Sequence, residues 1–232
     1  MAMEQAEQMP DAHARQFLQT VVIVGGGPSG CEMTGALSEL LRNAMQREFK
    51  QLDPTTTKIY LVDPGERVLR AMPEGLSNTA RRTLESLGVE IIFKGRVESM
   101  QPGEVIMSTP NGEQRLQAAT VIWTAGVKPS HLGKKLAESI DCELDRAGKV
   151  VVEADFSIRT HPDIRVVGDL CCYKHTKDGN PLPGMAGPAN QAGGFVGKDI
   201  TSLVSGSTRP RFDWFISAAW LCSIGSPLQM RH

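Results

Sequence analysis

Apolar positions along the chain follow two rhythms. Val21-Val22-Ile23-Val24 is an unbroken run of branched side chains, the pattern of a parallel strand buried on both faces. After Pro28 the period changes, and Met33, Leu37, Leu40, Leu41 and Met45 recur at spacings near three and four, which predicts a long helix. Pro28 suits its first turn, where no amide partner is needed. Lys58 to Asp63 predicts a second strand, closed by Pro64-Gly65. Leu76, Ala80, Leu84 and Leu87 share one side of a helix over Ser77 to Leu87 that Gly88 ends, and Val89 to Phe93 supplies another strand. Arg96 to Met100, Val105 to Ser108 and Ala119 to Thr124 follow as shorter extended pieces of a small antiparallel excursion. Pro102-Gly103 and Asn111-Gly112 separate them, and the second pair suits a tight hairpin turn.

The pattern shifts after Ala125-Gly126. Lys149 to Val152, Phe156 to Arg159 and Ile164 to Val167 are short strand candidates, the last ending at Gly168-Asp169. A Gly- and Pro-rich loop from Asp178 to Pro188 precedes a helix from about Ala189 to Leu203. This order predicts an α/β fold with a Rossmann-like, three-layer nucleotide-binding domain over residues 20–125 and part of a second layered unit over 126–206. Residues 1–19 read as a loose polar leader in which Ala12 to Leu18 could form a short helix, and 207–232 as a separate C-terminal segment.

Composition narrows the setting. Its 232 residues allow one or two domains, and 41% hydrophobic against 22% charged residues argues against wholesale disorder. With 25 basic and 26 acidic side chains, nothing favours a nucleic-acid partner. Lys134-Lys135 and Arg209-Pro210-Arg211 are too brief to change that; they read as solvated surface, with peripheral contact to an anionic membrane as the other reading. The five cysteines form no CxxC pair and leave an odd member, which favours a reducing compartment, and the histidine spacing offers no metal cluster. The N-terminus lacks the order of a secretion signal. No apolar run reaches the roughly 18 residues of a membrane span. Trp214 to Leu221 is too short and reads as a packing segment or an interfacial contact. The expected location is cytoplasmic, including a peripheral place on the inner membrane face.

Candidate chemistry begins where the first strand meets the first long helix. Gly25-Gly26-Gly27-Pro28-Ser29-Gly30 places G-x-G-x-x-G at Gly25, Gly27 and Gly30. Between a strand and a helix, the first glycine permits the turn, the second lets the backbone approach a pyrophosphate, and the third brings helix and sheet close. The amides and positive end of the helix suit phosphate charge. Asp63 could accept both ribose hydroxyls of an adenosine, as in NAD rather than NADP, although it lies farther on than the usual roughly 20 residues. Its plainer reading is a strand-ending turn acid. Arg67 pulls toward NADP, since it could approach a 2′-phosphate, or is a solvated loop charge. Glu32 either faces the nicotinamide ribose or favours the helix start electrostatically.

With the fingerprint, Asp63 and the later Gly168-Asp169 together, the chain resembles the type II NADH dehydrogenases. These are flavoproteins of the pyridine nucleotide-disulfide oxidoreductase-like group that pass electrons from NADH to quinone. The resembling stretches are Val21 to Glu32, Ile59 to Met72, Thr120 to Val127, Val150 to Leu170 and Pro181 to Ile200. The resemblance implies that Gly25 through Glu32, with Pro28 and Ser29, binds NADH. It makes Trp123 to Val127, with Ala125 and Gly126, the return from an NADH-binding domain to a partial FAD-binding domain over 126–206. Asp169 would contact the ribitol of FAD beside Gly168. Pro181 to Gly184 and Pro188 to Gly193 would lie near the isoalloxazine and quinone, with Gln191 nearest the ring. Ala192 stands where a second glutamine is common. Cys171-Cys172 reads as buried or incidental thiols, since adjacent cysteines make poor dithiol partners.

Full-length members of that family begin with another strand-glycine-helix unit for the ADP part of FAD, which nothing before Val21 is expected to supply, and continue into membrane-facing helices. The expectation is therefore an NADH:quinone oxidoreductase requiring FAD, incomplete in isolation. Either a homo-oligomer or a complementing FAD-domain subunit would supply the missing parts. The alternative is a noncatalytic dinucleotide-binding or interaction protein.

Overall fold

A strand buried along its whole length must sit inside a sheet, and β1 (Thr20–Val24) does. In the computed structural model, which describes residues 2–50, 52–177 and 179–215, β1 lies between β2 (Lys58–Asp63) and β7 (Thr120–Trp123). With β3 (Val89–Phe93) they form a parallel sheet in the order β3-β2-β1-β7. The register sets Val24 level with Val62 and Trp123, so three strands deliver their C-terminal ends to one edge.

Each face of this sheet is covered differently. The helices α3 (Pro28–Glu48) and α4 (Glu74–Ser86) pack against it, α3 on β1 and β2 and α4 on β3. On α4 the buried residues Ser77, Ala80 and Leu84 fall three and four apart, one stripe of a helix. Val22, Val24 and Val62, which alternate with the helix-facing residues, form a core with Val105, Met107, Leu116 and Ala118. Those partners come from a three-stranded antiparallel sheet, β4 (Arg96–Gln101), β5 (Glu104–Thr109) and β6 (Gly112–Gln117). Pro102-Gly103 makes the turn between β4 and β5, with Gly103 at φ +84°.

The α/β class and the Rossmann-like parallel sheet agree with the pattern reading; several local expectations do not. The third strand of the antiparallel excursion is β6, which was not foreseen because Gly112-Glu113-Gln114-Arg115 carries no apolar alternation and is exposed. Residues 120–123 instead rejoin the parallel sheet beside β1. The hairpin loop is Pro110-Asn111, with Gly112 opening β6 at φ +106°. Nor are the opening residues a loose leader. They form α1 (Ala2–Gln8) and α2 (Ala12–Leu18), the latter capped by Asp11, whose carboxylate accepts the Ala14 amide at 2.7 Å. Ala6 is fully buried in a small cluster with Leu52, against which Met3, Leu18 and Phe49 pack.

The chain divides into two compact units after Gly126. The second contains α5 (Leu132–Ile140), β8 (Val150–Val152), β9 (Ser157–Ile158), β10 (His161–Arg165), β11 (Cys171–Tyr173) and α6 (Ala186–Ser205). β8 and β11 pair in parallel, and β9 and β10 antiparallel. These β/α elements are consistent with part of a second dinucleotide-binding domain. Neither α5 nor β11 was foreseen. Leu136, Ala137 and Ile140 do pack on the core, but α5 stops on Asp141 in a left-handed conformation, so the usual glycine stop is missing. α6 begins before Pro188 rather than after it, because a proline in the first turn displaces no helical hydrogen bond.

At the centre of this unit Phe156 is fully buried, stacked on Tyr173 at 4.4 Å and edge-on to Phe212 at 4.8 Å. Trp214 packs against the same core and Phe215 is exposed; the apolar run from residue 216 onward, with Cys222 and His232, lies outside the described residues. Among the described residues no helix is long and apolar enough to cross a membrane.

A charge network holds α6 to this core. Asp199 is fully buried and accepts Arg209 Nε and Nη2 at 2.7 Å each, while the same Nη2 reaches Asp155 at 2.7 Å. Arg165 stands 3.4 Å from Asp155 and 3.6 Å from Asp199. Burial opposes ionisation of Asp155, but hydrogen bonds from Ser157 and Arg209 outweigh it and lower its carboxyl pKa from 3.8 to about 2. A depressed carboxyl contributes stability that is whole above its unfolded value and is lost as pH falls through the folded one. Acid unfolding followed by near-ultraviolet circular dichroism should therefore set in between pH 4 and 2. Asp155→Asn should flatten that dependence; an unchanged profile would show that the network contributes nothing there.

Candidate functional site

The C-terminal edge of the parallel sheet is where the singled-out residues of the first unit meet. Leaving β1, the chain turns through Gly25 at φ +113°, a conformation closed to side chains with a Cβ, and the Gly25 amide donates to Val62 O at 2.8 Å. A Cβ on Gly25 would lie 2.9 Å from the Ala125 nitrogen, so the ends of β1 and β7 touch at this point. Gly30 is tighter still: a Cβ there would stand 1.7 Å from the Gly25 carbonyl oxygen. The helix can start directly over the strand only because hydrogen alone lies between them.

Gly27 differs from both. Its φ is −76°, and nothing lies within 4 Å of where its Cβ would be. It is the N-cap of α3, no side chain caps the helix there, and Pro28 follows at the first helical position. The start of a 21-residue helix thus presents bare backbone, with the exposed Ser29 beside it. Glu32 is half-buried in the first turns of α3.

Asp63, at the end of β2, is 6% exposed. Its Oδ2 accepts the Gly26 amide and its Oδ1 the Gly65 amide, each at 2.7 Å, and Arg70 Nε stands 3.9 Å from Oδ1. Arg67 is engaged elsewhere, donating to Met72 O at 2.9 Å and Arg70 O at 2.8 Å. Two contributors escaped the sequence reading. Thr124 Oγ1 donates to Val24 O at 2.9 Å and lies 3.2 Å from Gly25 O, fastening β7 to the turn. The Leu69 amide donates to Gly26 O at 2.7 Å. Thr124 was within reach of a reading that asked which residue ends each strand at the glycine edge; Leu69, in a loop, gave no signal. Cys31 is fully buried beneath the turn, where burial, then the charges of Asp63 and Glu32, push its thiol up to about 12.

In the second unit Gly168 takes φ +72° in a short 3₁₀ turn, and Asp169 after it is exposed. A Cβ on Gly184 would lie 3.1 Å from Asp169 Oδ1 and 3.7 Å from Lys149 Nζ, so these three gather near the start of α6, which no side chain caps. Gln191 lies one turn further along. Its Nε2 donates to Phe215 O at 2.9 Å and its Oε1 accepts the Phe215 amide at 3.1 Å. Ala192 is fully buried in the core. Cys171 and Cys172 are free and buried; burial first of all raises both thiols, Cys171 to about 11.

A glycine turn leading from a parallel strand into a helix, with an acid at the end of the neighbouring strand, is the build of a dinucleotide-binding protein. The sequence profile of the pyridine nucleotide-disulphide oxidoreductases matches residues 2–193, and the chain belongs to that family. Within it, the chain is similar to type II NADH:quinone oxidoreductases. It is 35% identical over 218 residues to the type II NADH:quinone oxidoreductase Ndh of Mycobacterium tuberculosis, covering 92% of this chain and 46% of that protein. To the type II NADH:quinone oxidoreductase of Staphylococcus haemolyticus it is 27% identical over 206 residues, 89% of this chain and 49% of the relative. The chain thus spans about half the length of the curated relatives it matches. Among solved structures, NDH2 from Plasmodium falciparum in complex with NADH shares the fold, with a TM-score of 0.74 at 13% identity over 93% of this chain and 59% of that one.

The glycines separate in their demands. Gly30→Ala should destabilise the chain by about 1–3 kcal/mol or more, because the methyl group has no space. Gly27→Ala should stay within about 0.5 kcal/mol of the parent. Urea unfolding of the two variants measures this, and equal midpoints would contradict it.

Proposed function

We propose that the first unit, residues 20–125, binds NADH, with the pyrophosphate over the backbone from Gly25 to Gly30 and the adenosine ribose at the end of β2. The observation that carries this reading is the open face at Gly27: the start of α3 offers amides and the positive end of a helix dipole to solvent, a site that favours a pyrophosphate. Ala125 and Gly126 border the same edge, and Glu32 stands on the helix side. NADH is preferred over NADPH because Asp63 is negative at the ribose end and Arg67 is engaged by loop carbonyls.

The second unit, residues 126–206, is read as part of an FAD-binding domain. Its residues fit the ribitol end of that cofactor: Asp169 offers an exposed carboxylate beside Gly168, and the uncapped start of α6 adjoins it. Bound FAD would supply the capacity to take a hydride from NADH and pass electrons on to a quinone. What the chain itself does is hold and orient. Asp169 accepts hydrogen bonds from hydroxyls, and the α6 start favours negative charge. Gln191 lends an amide once it parts from Phe215. In this reading the fingerprint at Gly25 serves NADH, and a complementing subunit or a second copy of the chain is proposed to hold the ADP part of FAD. A cytoplasmic location, or a peripheral one on the inner membrane face, suits this chemistry. The pairing of Gln191 with Phe215 favours a second reading, a dinucleotide-binding protein without turnover.

Calorimetric titration with NADH tests the proposal. The parent chain should bind, and Gly27→Ala, while folded, should bind about tenfold more weakly because its methyl group stands where phosphate approaches. No heat from a folded parent would end the reading. Absorbance of the repurified chain after incubation with FAD divides the two alternatives: retained flavin supports the oxidoreductase, and NADH binding without flavin supports the second.

A further inference from the structure

We propose that Thr124 is a positioning residue for the coenzyme. Its hydroxyl pins the glycine turn from the β7 side and so sets the direction of the amides that face the pyrophosphate. The inference rests on the dinucleotide-binding reading of this site and adds to it a residue outside the glycine fingerprint.

Three chain segments meet at this one oxygen. Thr124 Oγ1 donates to Val24 O at 2.9 Å and lies 3.2 Å from Gly25 O, so its hydrogen stands between the last carbonyl of β1 and the first of the turn. The same oxygen lies 2.9 Å from where a Cβ would stand on Gly25 and, equally, on Gly30 in the first turn of α3. Thr124 thus occupies the space that both glycines leave open. Pairing of β7 with β1 does not require the hydroxyl, because the Thr124 main-chain amide already donates to Val24 O at 2.9 Å. What the side chain adds is reach to Gly25 O, at the residue whose φ of +113° starts the turn. Serine would supply the same donor. Valine, of the same shape, would set a methyl group where the oxygen now stands, 2.9 Å from a carbonyl and inside ordinary van der Waals contact. Amides aimed at a phosphate tolerate little displacement, so losing the hydroxyl should weaken binding while the fold persists.

The experiment compares the parent with Thr124→Val and Thr124→Ser, following backbone amide resonances as NADH, ADP-ribose or adenosine is added. Thr124→Val should bind NADH and ADP-ribose, which both carry the pyrophosphate, about five- to tenfold more weakly, the scale of one hydrogen bond. It should bind adenosine, which has no phosphate, within about twofold of the parent, and Thr124→Ser should bind all three within about twofold. Urea unfolding establishes that each variant is folded where binding is measured. Thr124→Ala removes the hydroxyl without the methyl contact; it should show the same loss and carries the test if Thr124→Val does not fold. Parent-like NADH binding by a folded variant without the hydroxyl, or binding by Thr124→Ser as weak as that of Thr124→Val, would overturn the proposal. A loss for adenosine as large as that for NADH would place the effect outside the pyrophosphate seat and overturn it equally. A folded parent that binds none of the three ligands would instead end the dinucleotide reading, and this inference with it.

Discussion

The contact between Gly30 and the Gly25 carbonyl is the constraint on which the first unit depends. A parallel strand and the helix that follows it can share one axis only if the helix start lies almost on the strand end, and here a single methyl group at position 30 would stand 1.7 Å from an oxygen. Once that approach is allowed, the other arrangements follow in order. α3 is directed along the sheet, its amides stay at the C-terminal edge, and β2 and β7 bring Asp63 and Thr124 to the same edge because their registers end level with Val24. The site is a product of strand register as much as of the glycines.

The two units differ in how charge is handled. In the first, an acid is met by main-chain N–H groups and the nearest guanidinium stands off at 3.9 Å. In the second, Asp155 and Asp199 are met by two arginines in contact distance. Backbone amides fix a loop's shape, since their direction is set by φ and ψ. Arginine forks tie distant segments together, here α6 to the residues on either side of β9 and to the segment that follows the helix.

How much of this was legible follows from what each signal depends on. β1, α3, β2 and β3 were readable because buried strands and a long amphipathic helix leave marks in local sequence. β6 was not, since an exposed edge strand such as Glu113-Gln114-Arg115 needs no apolar alternation and is recognised only by its partner. The glycines were legible as a motif, and the placement of Asp63 at the strand end was legible from the pattern. That its oxygens turn inward was not, because this depends on the amides of Gly26 and Gly65, and nothing in a sequence says which amide a carboxylate will face. Of the opening helices α2 was legible as a possibility, and α1 was missed for a related reason: burying one alanine, Ala6, leaves almost no compositional trace.

The pairing of Gln191 with Phe215 gives the segment after α6 an unusual kind of partner. A side-chain amide carries a donor and an acceptor at the spacing of a peptide group, and here it meets both main-chain groups of one residue, as a neighbouring strand would. Gln191 thus serves as a single rung of ladder extended from a helix. Anything that recruits its amide must first free the main chain at Phe215, so occupancy at α6 and the path of the chain beyond it are set by one exchange of hydrogen bonds.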